Sequence, residues 1–501
     1  NHKNNRATIR IYDGLGQLVQ ETLETGLTIS YSYDGIGRTK IITLPDASMI
    51  EYGYSPGALA SVIRRDAKGL EQYRYTIENR DASGYIQKAT LPDGSVINCS
   101  RDLLGRVTDL IHPRLIQKID RYDAVGNIMS ITTTDPLETK TDLFGYDALC
   151  QLTQENDHNY NYDSLYNRVS KDDSTYTVNS LHSLLAAGET TFTYDRAGNR
   201  LTKQQGQVLQ VYEYDDLDRL TASSIDGART TYCYDAFNRR VSLSTEEAVS
   251  NFIYLHENEV GLCNADGAIK ELRLLGEGFG AEIGATVAIE CLGTVYVPIH
   301  DHRGNIKIVT DLSGQITEWY RYSAFGEEEV FNEVNLPKIP FNPWRFSSKR
   351  VDGATGFVFF GLRYYDPEIG RWLTQDPLGL KAGPNLYAYV RNASLTHFDL
   401  YGLVEMAISN EAGSILGELK RALANYPLTF GDTSSNYVAP PVVNPSGIWP
   451  LEHINAEVGA CPREVYKAAS IMVHRNPHPE NLVGPRKIVS FTNGIDNHPG
   501  C

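Results

Sequence analysis

The chain lacks the long apolar run that a membrane-spanning helix requires, about 18 or more residues. Its nearest approach, 283–297, is interrupted by Glu290 and Gly293. No membrane span is expected. It also lacks a basic excess. Lys and Arg number 46 against 62 Asp and Glu, a net charge of −16, which argues against a surface that coats nucleic acid. Cysteine is sparse and odd in number. The seven thiols at 99, 150, 233, 263, 291, 461 and 501 show no paired spacing, so neither a disulfide framework nor a zinc site is expected, and no metal or cofactor is implied. The first residues, Asn1-His2-Lys3-Asn4-Asn5, carry neither a starting methionine nor a signal peptide. The expectation is a piece of a longer protein, with part of it missing before residue 1. Charged residues are 22% of the chain, an ordinary globular fraction that argues against bulk disorder.

What is abundant is tyrosine, 31 residues against 15 Phe, four Trp and four Met, together with 42 glycines. Aromatic residues favour strands and glycine supplies turns. Ordered along the chain, the tyrosines belong to a repeat. Tyr12-Asp13-Gly14-Leu15-Gly16-Gln17 is followed by Tyr33-Asp34-Gly35-Ile36-Gly37-Arg38 and Tyr122-Asp123-Ala124-Val125-Gly126-Asn127. Further copies start at Tyr146, Tyr162, Tyr194, Tyr214 and Tyr234, and degenerate ones at Asp301 and Tyr322. Such self-similarity marks a stacked repeat architecture. Before each Tyr the sequence alternates, as in Thr191-Phe192-Thr193-Tyr194, which predicts a strand with one buried face. Asp opens a turn because its carboxylate accepts backbone N–H groups two residues on, and a late Gly or Asn takes the left-handed position. Each copy is therefore a β-hairpin, and residues 1–340 are expected to be an antiparallel ribbon without helical periodicity.

These copies resemble the YD repeats of Rhs proteins, of Tc-toxin C components and of teneurins, and the resemblance runs over residues 10–403. It implies a mainly β fold, with hairpins spiralling into a hollow shell, or cocoon. Residues 341–403 change character. Their segments Phe346-Ser347-Ser348-Lys349-Arg350, Gly361-Leu362-Arg363-Tyr364-Tyr365-Asp366-Pro367, Gly370-Arg371-Trp372 and Asn385-Leu386-Tyr387-Ala388-Tyr389 resemble the Rhs-associated core, which implies a plug for the shell.

Inside this segment Asp376-Pro377-Leu378-Gly379-Leu380 is nearly duplicated by Asp399-Leu400-Tyr401-Gly402-Leu403. Each alone reads as a turn. Two carboxylates brought together share a proton, so that one activates water while the other polarises a carbonyl, the chemistry of an aspartic peptidase. The resemblance implies self-cleavage after the second Leu, at Leu403–Val404, with Asp376 and Asp399 as the acid–base pair and Arg371 orienting a carboxylate. Leu400 stands where the family usually has proline. Asp366-Pro367 reads as a plain turn.

The remaining 404–501 stand where the resemblance places a variable C-terminal effector, expected to be a small α or α/β domain. Apolar spacing predicts helices over 406–424 and 462–473, a linker over 426–450 and a short strand over 487–491. The turn at Asn493-Gly494 resembles the oxyanion turn of some lipase-like hydrolases, although no G-x-S-x-G elbow follows Leu403. His453, His474, His478 and His498 are candidate general bases of a nuclease-like toxin, and an inert remnant is the third reading. The expectation is a bacterial, secreted or cell-surface polymorphic toxin fragment. Its partners would be its own C-terminal effector as cargo, a missing N-terminal shell segment or a B-component-like chain, and an immunity protein. The runner-up is a non-catalytic adhesion or glycan-binding scaffold.

Overall fold

The computed structural model describes residues 6–403, apart from 56, 265–266, 292 and 333–339, together with strand segments at 405–407, 469–472 and 486–492. From Arg6–Tyr12 to Glu328–Asn332 the chain is one ribbon in which each strand pairs antiparallel with the next. Alternation decides which face is covered. In Leu115–Tyr122, Leu115, Gln117 and Ile119 are buried and the residues between them are exposed.

The repeat works by local hydrogen bonding. In the turn opened by Asp123, one carboxylate oxygen accepts the N–H of Val125 (3.0 Å) and of Asn127 (2.8 Å). The other accepts the side-chain amide of Asn127 at 2.8 Å. Arg38 does the same for Asp34 and Arg219 for Asp215, both at 2.7 Å. The residue four beyond the aspartate therefore closes the turn with its side chain. The tyrosine ties one copy to an earlier one. Tyr33 donates its phenol to the carbonyl of Leu18 (2.7 Å), Tyr122 to Val107 (2.7 Å) and Tyr234 to Leu220 (2.9 Å). Each acceptor is the first residue after an earlier turn. A net contribution of about 1 kcal/mol per such bond, repeated along the ribbon, explains why tyrosine and not phenylalanine recurs.

The ribbon coils back on itself after roughly two hundred residues. Arg239 pairs with Glu21 at 2.9 Å across 218 residues, Arg64 with Glu290 at 2.6 Å across 226, and Arg321 with Asp135 at 2.8 Å across 186. The inner faces of the first and second passes share one apolar core that includes Ile29, Ile50 and Val62 from one pass and Ile253, Leu272 and Val297 from the other.

Against the inner face sits a small four-stranded sheet, Arg350–Val351, Val358–Phe359, Tyr364–Asp366 and Arg371–Trp372. Phe346, Phe360, Tyr365, Trp372 and Tyr389 pack together there. Buried shell arginines fasten it. Arg200 pairs with Asp366 at 2.7 Å and Arg240 with Asp352 at 3.0 Å. Arg168 donates to the Ile369 carbonyl at 3.2 Å while its guanidinium lies 4.1 Å from the Phe325 ring centre. Asp366 thus holds the segment to the shell as well as opening a turn, which a plain-turn reading does not anticipate.

Where the sequence predicts helices in the C-terminal region, the described parts are strands. Glu405–Ala407 pairs with His397–Asp399, and Ala469–Met472 with Arg486–Thr492. Arg486–Thr492, which contains the expected strand 487–491, also pairs antiparallel with the first ribbon strand, Arg6–Tyr12. An open strand edge offers a full row of backbone partners, and that outweighs the helical spacing read locally. The rest of 406–424, 426–450 and 462–473 lies outside the described residues.

Candidate active site

The two near-duplicate motifs fold as Asp-opened turns, like those of the shell. One oxygen of Asp399 accepts the N–H groups of Tyr401 (3.2 Å), Gly402 (2.7 Å) and Leu403 (2.9 Å). One oxygen of Asp376 accepts the N–H of Leu378 at 2.8 Å. Gly402 (φ +80°) and Gly379 (φ +59°) take the left-handed position that closes each turn. Where the shell motif carries Arg, Asn or Gln four residues beyond its aspartate, these two carry Leu380 and Leu403. No side chain of its own turn occupies the second carboxylate oxygen.

Both second oxygens converge on Arg363. Its Nη2 lies 2.6 Å from Asp376 Oδ2 and 3.6 Å from Asp399 Oδ2. The same guanidinium donates to the Gly402 carbonyl through Nε and to the Leu386 carbonyl at 3.1 Å. It stacks 4.1 Å from the Trp372 ring centre. Asp376, Asp399, Arg363, Trp372 and Leu403 line one cleft with about 30 Å³ of free space, room for a water with several polar partners.

Burial dominates the electrostatics. Asp376 is pushed up to about 6 by desolvation, and the neighbouring Asp399 charge adds to the rise against Arg363 and the Leu378 N–H. Asp399 is also raised by burial, against Arg363, the amides of Leu403 and Gly402, and Lys349. Asp123 in the shell goes the other way. Against the cost of burial, the Asn127 side chain and the turn amides hold Asp123 below the usual carboxylate value.

The expected arginine is elsewhere. Arg371 donates to Asn167 at 3.4 Å and to the His182 carbonyl, and lies over the Tyr387 ring. Desolvation, with crowding by the buried Arg200 and Arg168, lowers it to about 10. It fastens the core segment to the shell, and Arg363 stands beside the two carboxylates instead. Arg363 precedes Asp376 by 13 residues, a spacing with no motif of its own, so nothing local marks it. Nothing in the sequence marks Lys349 either. It is buried and donates to the Leu400 carbonyl at 2.6 Å. Leu403 is described. Val404, Asn493, Gly494 and the four tail histidines lie outside the described residues.

Known proteins share this architecture. The pattern of the family described as Teneurin YD-shell matches residues 115–401, and that of the RHS Repeat matches 12–49. The double-stranded DNA deaminase toxin A of Burkholderia cenocepacia is 27% identical over 237 residues, 40% of this chain and 16% of that protein. Toxin protein Tse5 of Pseudomonas aeruginosa is 32% identical over 212 residues, 38% of this chain and 15% of that one. Among solved structures, the TcdB2-TccC3-Cdc42 crystal structure aligns with a TM-score of 0.63 at 20% identity, over 75% of this chain and 22% of the other. The chain thus spans less than a quarter of the length of each of these proteins.

Proposed function

Because the chain belongs to the teneurin YD-shell family and is similar to curated toxin proteins, we propose that it is shell and core of a polymorphic toxin that encloses the segment after Leu403 and releases it by self-cleavage. The observation that carries this reading is the convergence of two carboxylate oxygens on Arg363, with the amide of Leu403 bound to one of the same aspartates. Two buried carboxyl groups at one cation share a proton, and their titration belongs to the pair. The ionised member takes a proton from a water in the cleft. The water oxygen attacks the Leu403 carbonyl carbon, while the protonated member donates to the carbonyl oxygen. Collapse breaks the C–N bond to Val404, the proton passes to the departing amine, and Leu403 is left with a carboxylate. Arg363 orients both carboxyl groups and limits the cost of the shared charge.

Relatives named for different toxic activities match this chain, which supports a common container with exchangeable cargo. The activity of 404–501 is open between the hydrolase-like, nuclease-like and inert readings. Export from a bacterial cell, an immunity protein, and shell segments or a B-component-like chain that complete the enclosure belong to the same proposal. The solved TcdB2-TccC3-Cdc42 structure joins TccC3 with TcdB2, which supports the partner reading.

Denaturing gel electrophoresis of the purified chain tests it. Wild type releases a fragment corresponding to 404–501, and Asp376→Asn does not. A single intact band in both favours the non-catalytic scaffold.

A further inference from the structure

The two duplicate turns differ at their second residue, Pro377 in one and Leu400 in the other. Proline fixes φ near −65° and stiffens a turn by itself. Leucine does not, yet the turn it occupies is the one that presents the bond to be cut. We propose that Glu282, Lys349 and an apolar seat for the Leu400 side chain form a clamp that positions the scissile turn and replaces the missing proline. This rests on the self-cleavage reading and deepens it.

Part of the clamp, Glu282 with Ala281 and Ile283, comes from outside the core segment, whereas Lys349 belongs to it. Loop 276–285 leaves the ribbon and runs through a series of left-handed residues, Gly280 (φ +118°), Ala281 (+41°), Glu282 (+60°) and Gly284 (+67°). Non-glycine residues adopt that region at a cost and persist there only when their surroundings impose it. Here the loop is pinned from below. Gly284 N–H donates to Ser348 Oγ at 3.2 Å, and a Cβ on Gly304 would stand 2.8 Å from the Gly284 nitrogen. What the contorted backbone achieves is to bring the Ala281 carbonyl and the Glu282 carboxylate to one ammonium group. Lys349 Nζ donates to Ala281 O (3.0 Å), Glu282 Oε1 (2.9 Å) and Leu400 O (2.6 Å). All three hydrogens of the ammonium are thus directed. Arg273, 3.4 Å from Glu282, balances the buried charge. The same loop makes the apolar seat, where Leu400 and Phe398 pack with Ala281 and Ile283.

Lys349 and Glu282 touch neither aspartate in this arrangement, so they are positioning residues. They hold the peptide unit between Asp399 and the amides of Gly402 and Leu403, which are bound to the Asp399 carboxylate at 2.7 and 2.9 Å. With the clamp opened, that carboxylate and the bond beyond Leu403 move independently, and small misplacements cost large rate factors.

The test uses the full chain and two readouts. The opened variant is Glu282→Gln with Lys349→Met, which removes both charges together so that neither is left buried alone. In the non-cleaving Asp376→Asn background, amide hydrogen exchange at Gly402 and Leu403 is expected to quicken at least tenfold in the opened variant. Adding Leu400→Pro is expected to return it to within about threefold. In chains with Asp376 intact, fragment release slows at least tenfold in the opened variant and recovers with Leu400→Pro. A merely structural role would not be rescued by proline at that one position. Unchanged exchange in the opened variant, or failure of Leu400→Pro to restore it in a folded chain, overturns the clamp. If exchange responds as expected but Asp376→Asn still releases the fragment, the clamp stands and the aspartate pair falls.

Discussion

The shell turns and the core turns are built from the same opening residue and serve opposite ends. In both, one aspartate oxygen accepts turn amides, two residues on in the shell and at Leu378 and Tyr401 in the core. In the shell turns of Asp123 and Asp34 the second oxygen is taken by a side chain of the same motif, Asn127 or Arg38, and the carboxyl is held below its usual value. In the core the corresponding residue is leucine, the second oxygen faces a buried cleft, and burial drives the carboxyl up. A side-chain choice together with burial separates a structural turn from one whose carboxylate faces a cleft. The shell turn of Asp66, which also has leucine four residues on, lies exposed. The clear shell copies are thereby a built-in control for the two core copies.

The sharpest way to break this comparison is to give a core turn the shell's chemistry. Leu403→Asn places an amide donor where Asn127 stands in its own turn. It is expected to occupy the second oxygen of Asp399 and to slow fragment release at least tenfold, whereas Leu403→Met still cuts. Comparable rates for the two would sink the rule.

Next in size is the seam between the regions. Arg240→Ala leaves Asp352 buried without its guanidinium partner, which costs about 3–5 kcal/mol. A urea titration should show the midpoint falling accordingly, and an unchanged midpoint would mean that the arginine does not fasten the core to the shell.

A third measurement reads the sign of the burial. A carboxyl raised in the folded state binds its proton more tightly there than in the unfolded chain. Its stabilising contribution is therefore complete below the unfolded value near 4 and is lost as pH rises through about 6. Removing the charge with Asp376→Asn should stabilise the chain at pH 7.5, on the order of 1–3 kcal/mol, and by much less at pH 4.5. Equal shifts in melting temperature at the two pH values would contradict the raised carboxyl.

The smallest effect belongs to the shell. Tyr122→Phe removes the bond to the Val107 carbonyl and is expected to cost about 1 kcal/mol without altering fragment release. A loss of release would tie the shell rungs to the core in a way the geometry does not suggest.

The amino-acid sequence determined the ribbon because its logic is short-ranged. The turn closes within a few residues, and the tyrosine rung reaches back about 15, as from Tyr33 to Leu18, so both leave a visible period. It also marked Asp376 and Asp399 as candidates, because a near-duplicated motif inside a recognisable segment is visible as text. Only the tertiary structure decided which cation serves them. Arg371 lies nearer in sequence to Asp376 than Arg363 does, yet it is drawn to His182 in a shell turn 189 residues away, while Arg363 turns inward over Trp372 to meet both carboxylates. The expected helices of the C-terminal region fail for the same reason where they are described, since each described part pairs with a strand outside its own helical spacing, Glu405–Ala407 with His397–Asp399 and Ala469–Met472 with Arg486–Thr492. Local hydrogen bonds are written along the chain. The identity of a buried charge's partner depends on which surfaces burial brings together, and no spacing encodes that.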